Sequence, residues 1–204
     1  MNYLGMMAPI HLDAIWFQTL QQELSAAAIP VKWQSEGTHH QTLIFINDDH
    51  CVDSLQQVFS ELLSTRKPVP LTIDKLDAFT TENGSTHIVC LTATRPSAEI
   101  LELAKDVKTL ADHLNVDYEK RPFKLHITLG RIAADAISIE ALQAILSKVS
   151  FPKSDYLLYD IQYKYQGSGQ LIKKWDLNRK LQTKIRFSES SLRRELRPNG
   201  VKCI

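Results

Sequence analysis

The sequence predicts an α+β fold of two pseudo-symmetric lobes, each with an antiparallel sheet and packed helices, around a central cleft. Three observations carry this. Apolar residues alternate between helical and strand periods along the whole chain. The order of strands and helices in the second half loosely echoes the first. The tetrad His-x-Thr-Leu occurs once in each half, at His40–Gln41–Thr42–Leu43 and at His126–Ile127–Thr128–Leu129. No stretch rich in Gly, Pro and Ser separates the halves, so residues 1–204 read as one compact domain of two lobes, with 188–204 a C-terminal extension without an assigned role.

A strand is expected over residues 3–9, closed by Pro9. Leu12, Trp16, Leu20 and Leu24 recur at helical spacing and predict a helix ending before Pro30. Residues 31–38 read as a loop or short strand and 40–46 as a strand. Asp48 or Asp49 is a suitable cap for a helix with Val52, Leu55, Phe59 and Leu62 on its inner face. Strands are expected at 67–73 and 86–94, with turn chemistry at 82–85. Ile100, Ala104, Val107, Ala111 and Leu114 form one face of the next helix. A strand at 125–129 and a helix at 139–149 follow. Residues 156–165 and 169–177 read as a hairpin turning at 166–169, and 188–197 as a polar, basic terminal helix.

Composition narrows the function. Hydrophobic residues make up 44% of the 204, enough for a sizeable core. The net charge is +1, from 24 basic and 23 acidic residues, which argues against coating long nucleic acid but leaves a nucleotide or a short nucleic-acid end open. Three cysteines suggest neither a disulfide framework nor a zinc ribbon. No segment approaches a membrane span, and residues 1–10 lack a basic leader. A cytoplasmic monomer without a membrane partner is expected. No Gly-x-Ser-x-Gly elbow and no Gly-x-x-x-x-Gly-Lys loop is present. His39 and His40 point to opposite strand faces, and no Cys or acidic ligand stands at zinc spacing, so no metal and no cofactor are expected.

The repeated tetrad carries chemistry. Two copies would arise by chance in about one shuffled chain in several hundred. Residues i and i+2 of a strand share a face, so each motif offers an imidazole beside a hydroxyl. Two histidines can divide proton abstraction from water and proton donation to a leaving oxygen near neutral pH. Two threonine hydroxyls can donate to the non-bridging oxygens of a phosphate. His40 and His126 are therefore the candidate catalytic pair, and Thr42 and Thr128 the candidate phosphate contacts. In the second motif Leu125, Ile127 and Leu129 alternate cleanly onto the core face. In the first, strict alternation would place Ile44 and Ile46 on the histidine side. His87 could border the cleft, while His11 and His113 read as surface groups.

These residues resemble the two-histidine phosphoesterases, in particular the bacterial LigT-like group of 2′-5′ RNA ligases and RNA 2′,3′-cyclic phosphodiesterases. The resemblance rests on Val31–Lys32–Trp33 ahead of the first tetrad and on the run from Arg121 through His126 to Gly130–Arg131. It covers about residues 1–180. It implies a bilobal α+β fold, metal- and ATP-independent opening of a cyclic phosphate to a 2′-phosphomonoester, and in some members 2′-5′ joining. RNA ends or nucleotides are the implied partners. By motif position His40 and His126 form the catalytic pair; His40 is taken as the acid and His126 as the base, and the sequence leaves the reverse assignment equally open. The chain departs from the family at Leu125, commonly proline, and at apolar Ile161 and Ile172, near which a Ser and a Tyr are usual. Arg131 matches the trailing arginine and is a candidate substrate contact, although strand parity turns it away from His126 if the strand continues past Gly130. Phe123, Tyr163 and Tyr165 are candidate platforms for a base, with core packing the more usual job for each.

Overall fold

The structure, a computed structural model, describes residues 4–47, 52–151, 153–165 and 171–177. Its elements in chain order are β1 (Leu4–Pro9), α1 (Ala14–Ala26), β2 (Lys32–Trp33), β3 (His40–Ile46), α2 (Val52–Ser64), β4 (Val69–Ile73), β5 (Lys75–Thr80), β6 (Thr86–Thr92), α3 (Ala98–His113), β7 (Ile127–Ala133), α4 (Ile139–Leu146), β8 (Ser154–Leu158), β9 (Asp160–Tyr165) and β10 (Leu171–Asp176). Local chemistry sets where three helices begin. Asp13, Ser97 and Ser138 sit in extended backbone and accept from the N–H three residues on, at Trp16, Ile100 and Ala141.

The main sheet runs β10-β9-β1-β3-β7-β6-β5, with β2 added along β7, and β4 pairs with β8 in a separate ribbon. Neighbouring strands are antiparallel. This is an α+β fold, and its two halves meet at β3 and β7. One sheet face carries the core, including Ile44, Ile46, Ile127, Leu91, Ile161 and Tyr163. Helices cover that face: Phe17 of α1 meets Trp33 edge-on, and Ser60 of α2 accepts the Trp175 indole N–H at 2.7 Å.

The register contains the same irregularity in both motif strands. Met7 pairs with Thr42 and Met6 with Ile44, so Leu43 is an extra residue in β3. Cys90 pairs with Thr128 and Val89 with Gly130, so Leu129 is an extra residue in β7. A bulge of one residue reverses the face of everything beyond it. Ile44 and Ile46 therefore turn away from His40 and into the core, at 3% and 0% exposure, contrary to the strict-alternation reading. Arg131 turns the other way. It pairs with Ile88, two residues from Cys90, and so returns to the face of His126 and Thr128.

Other expectations are revised. Residues 156–165 divide into two strands, because the chain leaves β4 for β1 and β10 at Tyr159, whose carbonyl accepts from Leu177 N–H at 2.7 Å. Strand β5, absent from the sequence reading, pairs with β6 across the 82–85 turn. Strand β7 continues to Ala133 because β2 and β6 both hold it past Gly130. The expected cap at 48–49, the 166–169 turn and the 188–197 helix lie outside the described residues.

Gly130 is required by close packing. A Cβ there would stand 2.5 Å from Val31 Cγ1 and 3.1 Å from Trp33 Cε3. Both neighbours are stiff and packed against the core. Gly130→Ala should destabilise the protein by about 1–3 kcal/mol through overpacking, read as a lower midpoint in urea unfolding with an unchanged slope.

Candidate functional site

Strands β3 and β7 meet at Gln41 opposite Ile127. Carrying that antiparallel register one step each way sets His40 opposite Thr128 and Thr42 opposite His126, all on the face away from the core. The side chains of all four are half-buried, whereas Gln41 and Ile127 between them are wholly buried. The register therefore sets the two tetrads crosswise, each histidine position across from the other motif's threonine position.

Both imidazoles are held alike. His40 Nδ1 lies 2.7 Å from Thr38 O, and His126 Nδ1 lies 2.9 Å from Lys124 O, in each case the carbonyl two residues back. A carbonyl only accepts, so Nδ1 carries the proton in both rings, and Nε2 is the atom left to exchange one. The edge-to-face contact of Phe79 with His126, ring centroids 5.3 Å apart, further fixes the second ring.

Both histidines titrate below the ordinary 6.5. For His40 burial is the main cause, joined by the positive charges of Lys164 and Arg131 and opposed by the Thr38 hydrogen bond. For His126 burial again leads, joined by Lys124, His40 and Arg121 and opposed by the Lys124 carbonyl. The influence of Arg131 on His40 agrees with the face reversal at Leu129. The influence of His40 on His126 agrees with their convergence.

A recess lies on each side. One, about 240 Å³, is lined by His11, His40, Asp160, Gln162, Lys164 and Lys174 among others. The other, about 400 Å³, is lined by Lys75, Asp77, Phe79, Cys90, Thr92 and Lys124 among others. Lys174 pairs with Asp160 at 3.1 Å in the first, and Lys75 with Asp77 at 2.7 Å in the second. Burial raises the Cys90 thiol to about 12, so it stays protonated and unreactive.

Tyr163 is not a base platform. It is 0% exposed and packs beside Trp175 on the core face of β9, opposite Gln162 and Lys164. Phe123 is half-buried and packed against the core edge. The Tyr165 side chain lies outside the described residues. His87 is also excluded from the cleft: it is buried, Nε2 donates to Ile137 O at 3.0 Å, and Nδ1 accepts from the Thr80 hydroxyl at 3.0 Å. Phe79 and Gln41 were missed. Phe79 was legible only through the 82–85 turn, which demands a strand on both sides. Gln41 occupies a core-facing position, where periodicity signals packing.

Lys164→Ala should raise the His40 titration toward 6.5 and leave that of His126 nearly unmoved, because Lys164 acts on the first ring. Imidazole NMR titrations of the parent and the variant check this.

Among the described residues, no group of three or more His, Cys, Asp and Glu is placed to hold a metal ion, and no helix is long and apolar enough to cross a membrane. No curated protein matches the chain. Solved structures do. A crystal structure described as a phosphoesterase is 18% identical, with TM-score 0.59 over 88% of this chain and 100% of that one. E. coli LigT, solved with 3′-AMP, is 19% identical, with TM-score 0.59 over 87% and 99%. Kluyveromyces marxianus Usb1 is 10% identical, with TM-score 0.59 over 86% and 97%. At these identities the likeness is one of fold. Residues 38–156, more than half of the chain and inclusive of both tetrads, match the 2′-5′ RNA ligase superfamily, and the chain belongs to that family.

Proposed function

We propose that this protein is a metal-independent two-histidine phosphoesterase that opens a 2′,3′-cyclic phosphate at an RNA end to a 2′-phosphomonoester. The observation that carries the reading is the crosswise group at the β3–β7 junction, with both imidazoles committed to the Nδ1–H form and both Nε2 atoms available. Family membership supports it, as do the nucleotides named with its structural neighbours, 3′-AMP with E. coli LigT and uridine monophosphate with K. marxianus Usb1.

In this mechanism the cyclic phosphate sits over the group. Thr42 and Thr128 Oγ1 donate to its non-bridging oxygens. Neutral His126 accepts a proton at Nε2 from water as that water attacks phosphorus. The P–O3′ bond breaks, and protonated His40 gives its Nε2 proton to O3′. The 2′-phosphomonoester leaves, and the two imidazoles exchange their proton states through solvent. With an RNA 5′-hydroxyl attacking in place of water, the same groups would form a 2′-5′ linkage. The presence of a recess on each side of the group also favours a second substrate, a 2′-5′ oligoadenylate or other small phosphodiester with a nucleoside on either side. Chromatography of the products from each substrate separates the two readings.

His40→Ala and His126→Ala should each cut kcat by about 10²–10⁴-fold on an oligonucleotide with a terminal cyclic phosphate, with the fold retained. Thr128→Val should cost about 10²-fold by removing one donor to the phosphate. Parental turnover in either histidine variant would overturn the mechanism, as would loss of activity on chelation with rescue by one divalent ion.

The rate has a second signature. One imidazole must be charged and the other neutral, so kcat/KM peaks between their two titrations. Both are held below 6.5 in the free protein. The maximum should therefore fall on the acid side of 6.5, with activity lost on each side. A plateau extending above neutrality in a kcat/KM profile limited by chemistry would contradict this.

A further inference from the structure

Gln41 is a polar residue at a core position. It is 0% exposed, and its counterpart in the second tetrad is the apolar Ile127, also 0% exposed. Burying a primary amide is costly unless its donors and acceptor are met. Here they are. The Oε1 atom accepts the His126 backbone N–H at 2.7 Å, and Nε2 donates to Thr42 O at 2.6 Å and more weakly to Lys124 O at 3.5 Å. The orientation of the amide is forced, since the N–H can only donate and the carbonyls can only accept.

The register gives these bonds their meaning. Gln41 opposite Ile127 is the registered β3–β7 pair among the described residues, and the next step would set Thr42 opposite His126. In a continued ladder the His126 N–H would donate directly to Thr42 O. The Gln41 amide instead stands between those two atoms and relays the bond through its own C=O and NH₂. The two strands are thereby joined through one side-chain amide at the step that carries Thr42 and His126. The same Nε2 touches Lys124 O, the carbonyl that receives His126 Nδ1 and orients its ring.

We propose that Gln41 is a positioning residue, a side-chain spacer that replaces one backbone hydrogen bond between the motif strands and so sets the gap in which the phosphate sits. This rests on the phosphoesterase reading for its effect on rate, but the geometry can be tested without it. In Gln41→Ala the spacer is gone, and the strands can close to a direct bond or leave His126 N–H unpaired. Gln41→Glu is a conditional replacement. A neutral carboxyl keeps one acceptor and one donor, whereas a carboxylate keeps only acceptors and faces the Thr42 and Lys124 carbonyls.

The experiment measures kcat and KM on an oligonucleotide ending in a 2′,3′-cyclic phosphate across pH, with melting temperature and imidazole NMR for each variant. Gln41→Ala should lower kcat by about 10²-fold with KM changed less than about threefold, and it should shift the His126 ring signals more than those of His40. Gln41→Glu should approach parental kcat in acid and fall away from it as pH rises. A residue that merely stabilises the fold would move the melting temperature alone. Parental kcat in both variants, or a Gln41→Glu protein whose kcat relative to the parent at the same pH is no higher in acid than at neutrality, would overturn the proposal. If the parent itself shows no turnover, the functional reading fails. The spacer then stands or falls on the NMR: His126 tautomer and titration in Gln41→Ala identical to the parent would overturn it.

Discussion

The site depends on the width of the seam between β3 and β7. Each half of the main sheet is held by long ladders, six registered pairs between β1 and β3 and six between β6 and β7. Between the halves, among the described residues, the ladder is reduced to Gln41 opposite Ile127. The four motif side chains come from strands far apart in sequence. Their mutual distances are consequently set by the seam and not by either strand alone. A fully zipped seam would bring the strands to ordinary sheet spacing, and a seam without any pairing would leave the two imidazoles without a common reference.

Much of this was legible from residue order. Strand β3 was read at its observed bounds, and α3 through its buried face of Ile100, Ala104, Val107 and Ala111, because those segments obey one period over their full length. The convergence of the tetrads was legible through their repetition. The bulges were not. Leu43 and Leu129 are apolar residues in apolar strands, and nothing in their chemistry distinguishes an extra residue from a regular one. The error propagated to Ile44, Ile46 and Arg131, each assigned to the wrong face by parity. Tyr163 stayed between two roles for a different reason: an aromatic with a hydroxyl suits both a base platform and a core, and its core position is settled by α2 and Trp175 from elsewhere in the chain. Strand β5 mixes Lys75, Asp77 and Phe79 on one face, a pattern too polar to signal a strand beside a recess.

Charge is distributed unevenly despite a near-neutral total. Lys164 and Arg131 act on His40, and Lys124 and Arg121 act on His126. Such cations disfavour a charged imidazole in the empty site. A bound phosphate would offset them, because an anion between the rings favours the imidazolium form. Under the proposed function, the cations that depress the histidines are also the groups that would draw a phosphate anion in. Arg121 is tied to the 82–85 turn through Glu82 and to its own loop through Glu119, so its position depends on the β5–β6 hairpin as well as on the motif.

The path of the chain through the sheet has a consequence for how the molecule is made. Strands β5, β6 and β7 are consecutive neighbours drawn from residues 75–133, whereas β1 lies between β3 and β9, with Leu4 opposite Tyr165. During synthesis the His126 side can assemble from nearby segments as they leave the ribosome. The His40 side must hold its first strand with one edge uncovered until residues 160–165 emerge. Until that segment emerges, the nascent chain has an edge from which misassembly can begin, and it lies on the side that carries His40.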